Sequence, residues 1–509
     1  MSDDEKSFGW TAAYLALFLT ILTSRLFLII THGHPLPFSD EWDAGAAGLY
    51  APYAAGTLRF EQLLSAHNEH RFLTSRLLGL LTFELAGGWL PRFQMVVNAM
   101  IFSGFAVWST ATLGRMVRPQ ARLALVFLTG LAFSLPIDFE VSLMGMNAHV
   151  YFLIIFSLAA LKHFSRADAL TPSWWLGIVW SGLAFLSMSS AVATPPIGII
   201  VTVIQMLVAA RPANLRNFAG LAVLGAVTAL MVSFVPTIDG HDFYRAHSLW
   251  EFLVALMAIA ALPLISPLGV LFVHWPLLVH VIETLRKRPA MARVEWFGIA
   301  MAGWIAAQMI SVAIFRAPTP LSPRYLDFVV IALPLSAAVV LRYAPVNRGW
   351  LIAGSLWLFV VVSTTSVLSY AATLREAGHR HAKLDREQPL ITGFLATGDA
   401  ALLAHATLSY PRADALAATL SDPDVRSILP PEIRPPDARE IDANRLLLKG
   451  GFRSQIEAIL GNLLTVAVVA ACLAASFAML AMLRLGAAST RRWDEAAGTP
   501  RASDSRQHG

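Results

Sequence analysis

About a dozen runs of near-continuous apolar residues, each close to twenty long, divide this chain. The hydrocarbon core of a bilayer needs about 20 such residues in a helix. Lipid offers no water to backbone N–H and C=O groups, so segments that cross it must satisfy themselves as helices. The runs lie at approximately 10–31, 93–114, 121–137, 148–164, 174–190, 192–209, 217–236, 263–283, 295–315, 325–342, 349–369 and 459–483. Only 14% of the residues are charged, against roughly 25% in soluble domains, so most of the surface must face lipid. The expected fold class is an all-α polytopic membrane protein with about 12 transmembrane helices.

Loop charges orient these helices. An even number of crossings places both termini on one side, and 19 of the 38 Lys and Arg residues fall in that side's short loops and tails. Eleven more lie in the long 371–455 segment, which the positive-inside bias exempts, and eight remain for the other loops. Both termini are therefore expected in the cytoplasm. The start Met1-Ser2-Asp3-Asp4-Glu5-Lys6 lacks the basic start and cleavage site of a signal peptide, so the first run is expected to stay as a span. The net charge of +5 comes from Arg residues scattered at span ends, which argues against nucleic acid as a partner. The single cysteine, Cys472, excludes a disulfide or a Cys-based metal site within the chain.

Two apolar segments, 72–90 and 245–262, are short or carry charge, and are read as helices lying along the outer membrane surface. The expected organisation is a membrane module over 1–370, a small helical segment on the outer face over 371–455, a final transmembrane helix over 456–485 and a disordered tail over 486–509. Within the outer segment, Asp422 before Pro423 has the pattern of a helix start.

Chemistry concentrates in the first outer loop. Ser39-Asp40-Glu41-Trp42-Asp43 follows the first span, and His67-Asn68-Glu69-His70-Arg71 follows one loop later. Neighbouring carboxylates point in different directions, so one of Asp40, Glu41 and Asp43 can accept a proton while another holds a metal or a substrate hydroxyl. Trp42 suits an interfacial anchor or a sugar-stacking face. On a helix, His67, His70 and Arg71 would share a side. The two histidines with Glu69 offer ligands for a divalent ion such as Mg or Mn, although their spacing is not that of the helical zinc motif. Arg71 suits phosphate. Arg245, Arg316 and Arg324, at the non-cytoplasmic ends of spans, are mildly unexpected there, and a phosphate-bearing head group would explain them. No phosphate-cradling loop, dinucleotide fingerprint or serine nucleophile elbow occurs, which weighs against a soluble nucleotide donor.

Taken together, Asp40-Glu41 right after the first span, surface helices in that first loop and many later spans resemble the GT-C superfamily of polytopic glycosyltransferases, which includes the protein O-mannosyltransferases and the lipid A aminoarabinose transferases. Arg324-Tyr325 at the start of a late span is similar to a recurring Arg-Tyr feature of such enzymes. The first loop also resembles that of bacterial membrane proteins of this type. The resemblance implies a polyprenyl-phosphate sugar donor, a lipid, polysaccharide or protein acceptor, inversion at the anomeric carbon, and a site on the periplasmic face of a bacterial inner membrane. It implies Asp40 as general base, Glu41 or Asp43 orienting the acceptor, and Arg71, Arg324 and Arg245 or a divalent ion meeting the phosphate. Some relatives need no metal and others use one, so His67 and His70 leave that choice open. The alternatives are a transporter or flippase of a lipid-linked sugar, and a non-catalytic envelope-assembly protein. Few ionisable residues at midplane depth and no inverted repeat favour the enzyme.

Overall fold

In a computed structural model, which describes residues 3–238, 240–264, 266–343, 348–404 and 406–497, ten helices are long and apolar enough to cross a bilayer. Two further helices run between the same two ends of the bundle. Pro172–Phe185 has 14 residues, about 21 Å at 1.5 Å per residue, and carries the chain from the Arg166 end to Ser187, whose hydroxyl bonds Thr74 at 2.8 Å. Gly269–Lys287 reaches the Arg166 end with Glu283, Arg286 and Lys287 in its last two turns. Added to the ten, these two give the twelve passages expected. The chain is an all-helical polytopic membrane protein, and its described residues include no strand beyond an isolated bridge between His67 and His70.

The first and last spans, Ser7–His32 and Leu463–Leu485, lie side by side and antiparallel. Gly9 abuts Leu485, and Leu28 shares a cluster with Leu463. The chain's two ends therefore lie at one end of the bundle. The last helix continues to Ala497, past the boundary expected at 485, and residues 498–509 of the expected tail lie outside the described residues.

The opposite end carries the loops that hold the chemistry. Leu249–Ala261, of 13 residues, does not cross the bundle. Beside its start Ala246 donates to the Ile314 carbonyl, and beside its end Leu262 and Pro263 line a cavity with Leu321 and Pro323. Both ends thus sit at the same end of the bundle. Helix Arg348–Leu368 passes through a widened turn at Ser369–Thr373 into Leu374–Thr397, a continuous 50-residue rod that leaves the bundle.

That rod builds a second core with the first loop. Leu384, Ile391 and Phe394 pack with Leu416, Val425 and Ile428 against Trp42, Tyr50, Phe83 and Trp89. The expected helix start is present: Asp422 accepts from the Asp424 N–H at 2.8 Å and caps Pro423–Ile428. The first loop and the 371–455 segment, more than 300 residues apart, are pinned by Glu84, which accepts from the N–H groups of Leu447 (3.1 Å) and Leu448 (2.7 Å). Gly87 and Gly450, both at φ +64°, cross so closely that a Cβ on Gly450 would stand 2.7 Å from the Gly87 Cα. Only glycine combines that backbone with that approach.

Inside the bundle lies a charged cluster. Arg25, 3% exposed, donates to Asp138, to Ser142 and to the Phe133 carbonyl, and Tyr151 donates to Asp138 at 3.0 Å. Asp327, 2% exposed, completes it. The spans therefore enclose more ionisable groups than the hydropathy pattern led us to expect.

Candidate active site

The first loop opens with a tight three-residue turn, Ser39–Glu41, then widens into the π-helical stretch Trp42–Tyr50. Residues three apart in such a tight turn eclipse one another. Asp40 and Asp43 thus share one face, while Glu41 and Trp42 turn the other way into the protein. A ligand atom from each of Asp40, Asp43 and His67 lies within 4.8 Å of the others. His67 Nε2 stands 3.6 Å from Asp40 Oδ2. His67 holds the Asp40 carboxyl below the usual aspartate range, against burial, whereas burial pushes Asp43 above it.

His67 arrives in a tight turn, not on a helix. The backbones of His67 and His70 exchange both hydrogen bonds, at 2.9 and 3.2 Å, and Asn68 takes φ +50°. Asparagine tolerates that left-handed conformation, and the turn overrides the helical register read from spacing. Arg71 is consequently turned away: its guanidinium donates to the Leu64 carbonyl at 2.6 Å and does not line the cavity.

The cavity, about 830 Å³ and open to solvent, lies between this loop and the late spans. Asp40, Glu69 and His70 form one wall. Its lining also holds Glu140, His149, Arg316, Arg324, Tyr325 and Arg380. Glu69 accepts from Arg316 at 2.9 Å and pairs with His241 at 2.7 Å. Burial raises its pKa, but these two partners outweigh that and bring it down to about 2. Burial pushes His70 down to about 4, so it is a neutral imidazole at pH 7. Arg324 donates from Nε to Glu140 at 3.0 Å.

Several expected site residues are not brought there. Glu41 is 1% exposed, and its carboxylate accepts from the N–H groups of Phe38 (3.0 Å) and Met146 (3.4 Å). It fastens the first loop to the 145–147 turn, and burial raises its pKa. Trp42, also 1% exposed, is a core side chain of the outer layer, with neither an interfacial nor a sugar-facing surface. Arg245 points away, beside Asp242 at 3.9 Å and the Phe315 ring. Its expected place is taken by Arg316.

Arg380 was not read from the sequence as a site residue. It comes from the 50-residue rod, stacks over Phe38 at 3.8 Å and donates to the Leu143 carbonyl at 2.9 Å. Among the described residues no carboxylate stands within ion-pair distance of it. The one sequence signal was the basic triplet His379-Arg380-His381 at the root of the outer segment.

No protein-family profile matches this chain, and no curated protein matches it. Among solved structures it is similar to the archaeal oligosaccharyltransferase AglB from Archaeoglobus fulgidus, determined in complex with an inhibitory peptide and a dolichol-phosphate. Identity is 11% and the TM-score is 0.46, over 87% of this chain and 62% of that one. The chain thus spans about three fifths of the protein it matches.

Proposed function

We propose that this protein is a membrane glycosyltransferase of the GT-C type that moves a sugar from a polyprenyl-phosphate donor to a lipid, polysaccharide or protein acceptor. One observation carries the reading: Asp40 lines a single cavity together with Arg316, Arg324 and Arg380 at the end of a membrane bundle. A second cavity, about 1080 Å³ and mostly apolar, is lined by Leu262, Leu321, Pro323, Leu326 and Leu333. Pro323 sits beside Arg324 in sequence, so a prenyl tail in the apolar cavity would bring its phosphate to the arginines.

In this reading Asp40 removes the proton from an acceptor hydroxyl or amine as that atom attacks the anomeric carbon. The bond from that carbon to the phosphate oxygen breaks, the phosphate takes the electron pair, and the configuration inverts. The three arginines meet the charge that grows on the phosphate. His67 holds the Asp40 carboxyl below the usual aspartate range. Asp40 is thus a weak base in a fixed position. Asp40, Asp43 and His67 also fit a divalent cation, since among the described residues His67 Nε2 is buried with no hydrogen-bond partner. A set of two carboxylates and one imidazole suits Mn better than Mg. Held by Asp40, Asp43 and His67, such an ion would supply positive charge to the site.

The site faces the periplasm and both termini lie in the cytoplasm of a bacterial inner membrane in this proposal, on the strength of the loop-charge asymmetry. A transporter of a lipid-linked sugar is the second reading, favoured by the enclosed Arg25, Asp138 and Asp327. Mass profiles of surface glycolipids and polysaccharides separate the two, comparing intact cells, a deletion and Asp40→Asn. If a sugar-sized mass vanishes equally in both mutants while donor lipid accumulates, transfer stands. If the deletion alone changes the profile, transfer by Asp40 fails and transport takes its place.

A further inference from the structure

At the opposite end of the bundle, beside the start of the first span and the end of the last, a pocket of about 630 Å³ with charged side chains in its lining opens between the ends of Gly269–Lys287, Val294–Phe315 and Pro323–Tyr343. Its lining holds more positive than negative charge. Glu283 is shared by Lys287 at 2.8 Å and Arg286 at 3.6 Å. Glu295, 3% exposed, is shared by Arg342 at 3.0 Å and Arg293 at 3.1 Å. Within the lining, three cations (Lys287, Arg293 and Arg342) therefore face two carboxylates, and the exposed Arg286 stands outside it. Arg342 spends Nη2 on Glu295, while its Nη1 is buried and has no hydrogen-bond acceptor among the described residues.

A cluster with surplus cations and an unused guanidinium N–H is incomplete by itself, because a buried donor left unpaired is costly. The missing partner is an anion with several acceptor oxygens. The surroundings choose among such anions. Tyr343 borders the pocket, and Trp350 and Trp275 continue from it as a row of rings, with centroids 6.0 and 5.6 Å apart. Aromatic rings with Lys and Arg at the ends of membrane helices mark head-group depth, and basic pockets between helix ends at that depth bind phospholipid head groups.

We propose that this pocket binds the phosphate head group of an anionic membrane lipid. The site is separate from the cavity at the other end and takes no part in the proposed transfer. The lipid adds a tie among the ends of three helices, two of which the Arg342–Glu295 pair already joins. Pro289 and Glu283 shape the pocket rim, and Trp296 Nε1 holds the Pro289 carbonyl at 2.9 Å.

The test is native mass spectrometry of the full-length protein in detergent, titrated with phosphatidylglycerol, with zwitterionic phosphatidylcholine and with inorganic phosphate. The wild type is expected to keep phosphatidylglycerol selectively. Each cation removed by Lys287→Gln or Arg342→Gln is expected to weaken retention about fivefold. Glu283→Gln should strengthen it, a gain that misfolding cannot imitate. Arg118→Gln, on the same end but outside the pocket, should change nothing. Equal loss from Arg118→Gln would show general charge attraction and overturn the pocket. Displacement of the lipid by millimolar inorganic phosphate would make a soluble phosphate the occupant and overturn the lipid assignment. No selectivity over phosphatidylcholine would overturn the proposal outright.

Discussion

Two clusters in this molecule combine arginine with aspartate, and they behave as opposites. Around Arg25 every carboxylate is within 3% of full burial. Around Asp40 the same residue types line an open cavity, and Asp40 itself is 42% exposed. An enclosed charge survives only if its neighbours satisfy it, so the interior cluster is committed to holding the helices together. A charge facing a cavity keeps lone pairs and donors free for a substrate. Chemical type is thus a poor guide to role, and enclosure is a good one.

That contrast can be broken most severely at Arg25. Arg25→Met should leave Asp138 buried without its cation and cost about 3–5 kcal/mol, read as a lower unfolding temperature in detergent. A silent Arg25→Met would mean the interior cluster does not hold the bundle. Asp40→Asn should do the reverse, with sugar transfer falling about 10²- to 10⁴-fold at an unchanged unfolding temperature. Gly450→Ala tests the seam between first loop and rod, because its methyl has no room against Gly87. An overpacking loss of about 1–3 kcal/mol is expected, with limited proteolysis releasing the 400–455 region first.

Glu69 stands between the two classes, since it lines the cavity yet is fully paired. Its pKa is lowered in the folded protein, so the stability it contributes is present above the ordinary glutamate value of 4.5 and is lost as pH falls toward 2. Glu69→Gln should therefore cost about 1–3 kcal/mol at pH 7 and flatten the stability curve below pH 4.5. An unchanged acid limb would remove the ion pair from the account. The smallest effect is expected at Arg245. Its Ala variant should stay within about 0.5 kcal/mol of wild type, with transfer intact, and a large loss of transfer would return it to the donor site.

The sequence was a good guide to the membrane passages and a partial guide to the site. Asp40 and Asp43 stood out with Glu41 as carboxylates just after a span, and the tight turn there puts the two, three apart, on one face beside His67. Glu41 and Trp42, between them in sequence, were misjudged for the same geometric reason: the face they occupy is the inner one. The His67–Arg71 stretch misled because helical spacing was assumed where Asn68 closes a turn, and Arg71 went with it. Arg324 was found from its place at the head of a late span. Arg380 had only a basic triplet to announce it, more than 300 residues from the loop it faces.

What the sequence determined by itself is the number of passages, their helical character and the end of the bundle where acidic loops collect. Those follow from local arithmetic, the length of an apolar run against the thickness of a bilayer. Tertiary structure alone decided which charges are enclosed and which face a cavity, because burial depends on partners brought from distant segments. It also decided that the outer segment is half of a shared core and delivers Arg380. No run of neighbouring residues encodes that contact. It exists because Trp42, Tyr50 and Phe83 on the first loop need an apolar partner, and the rod from the eleventh passage supplies it.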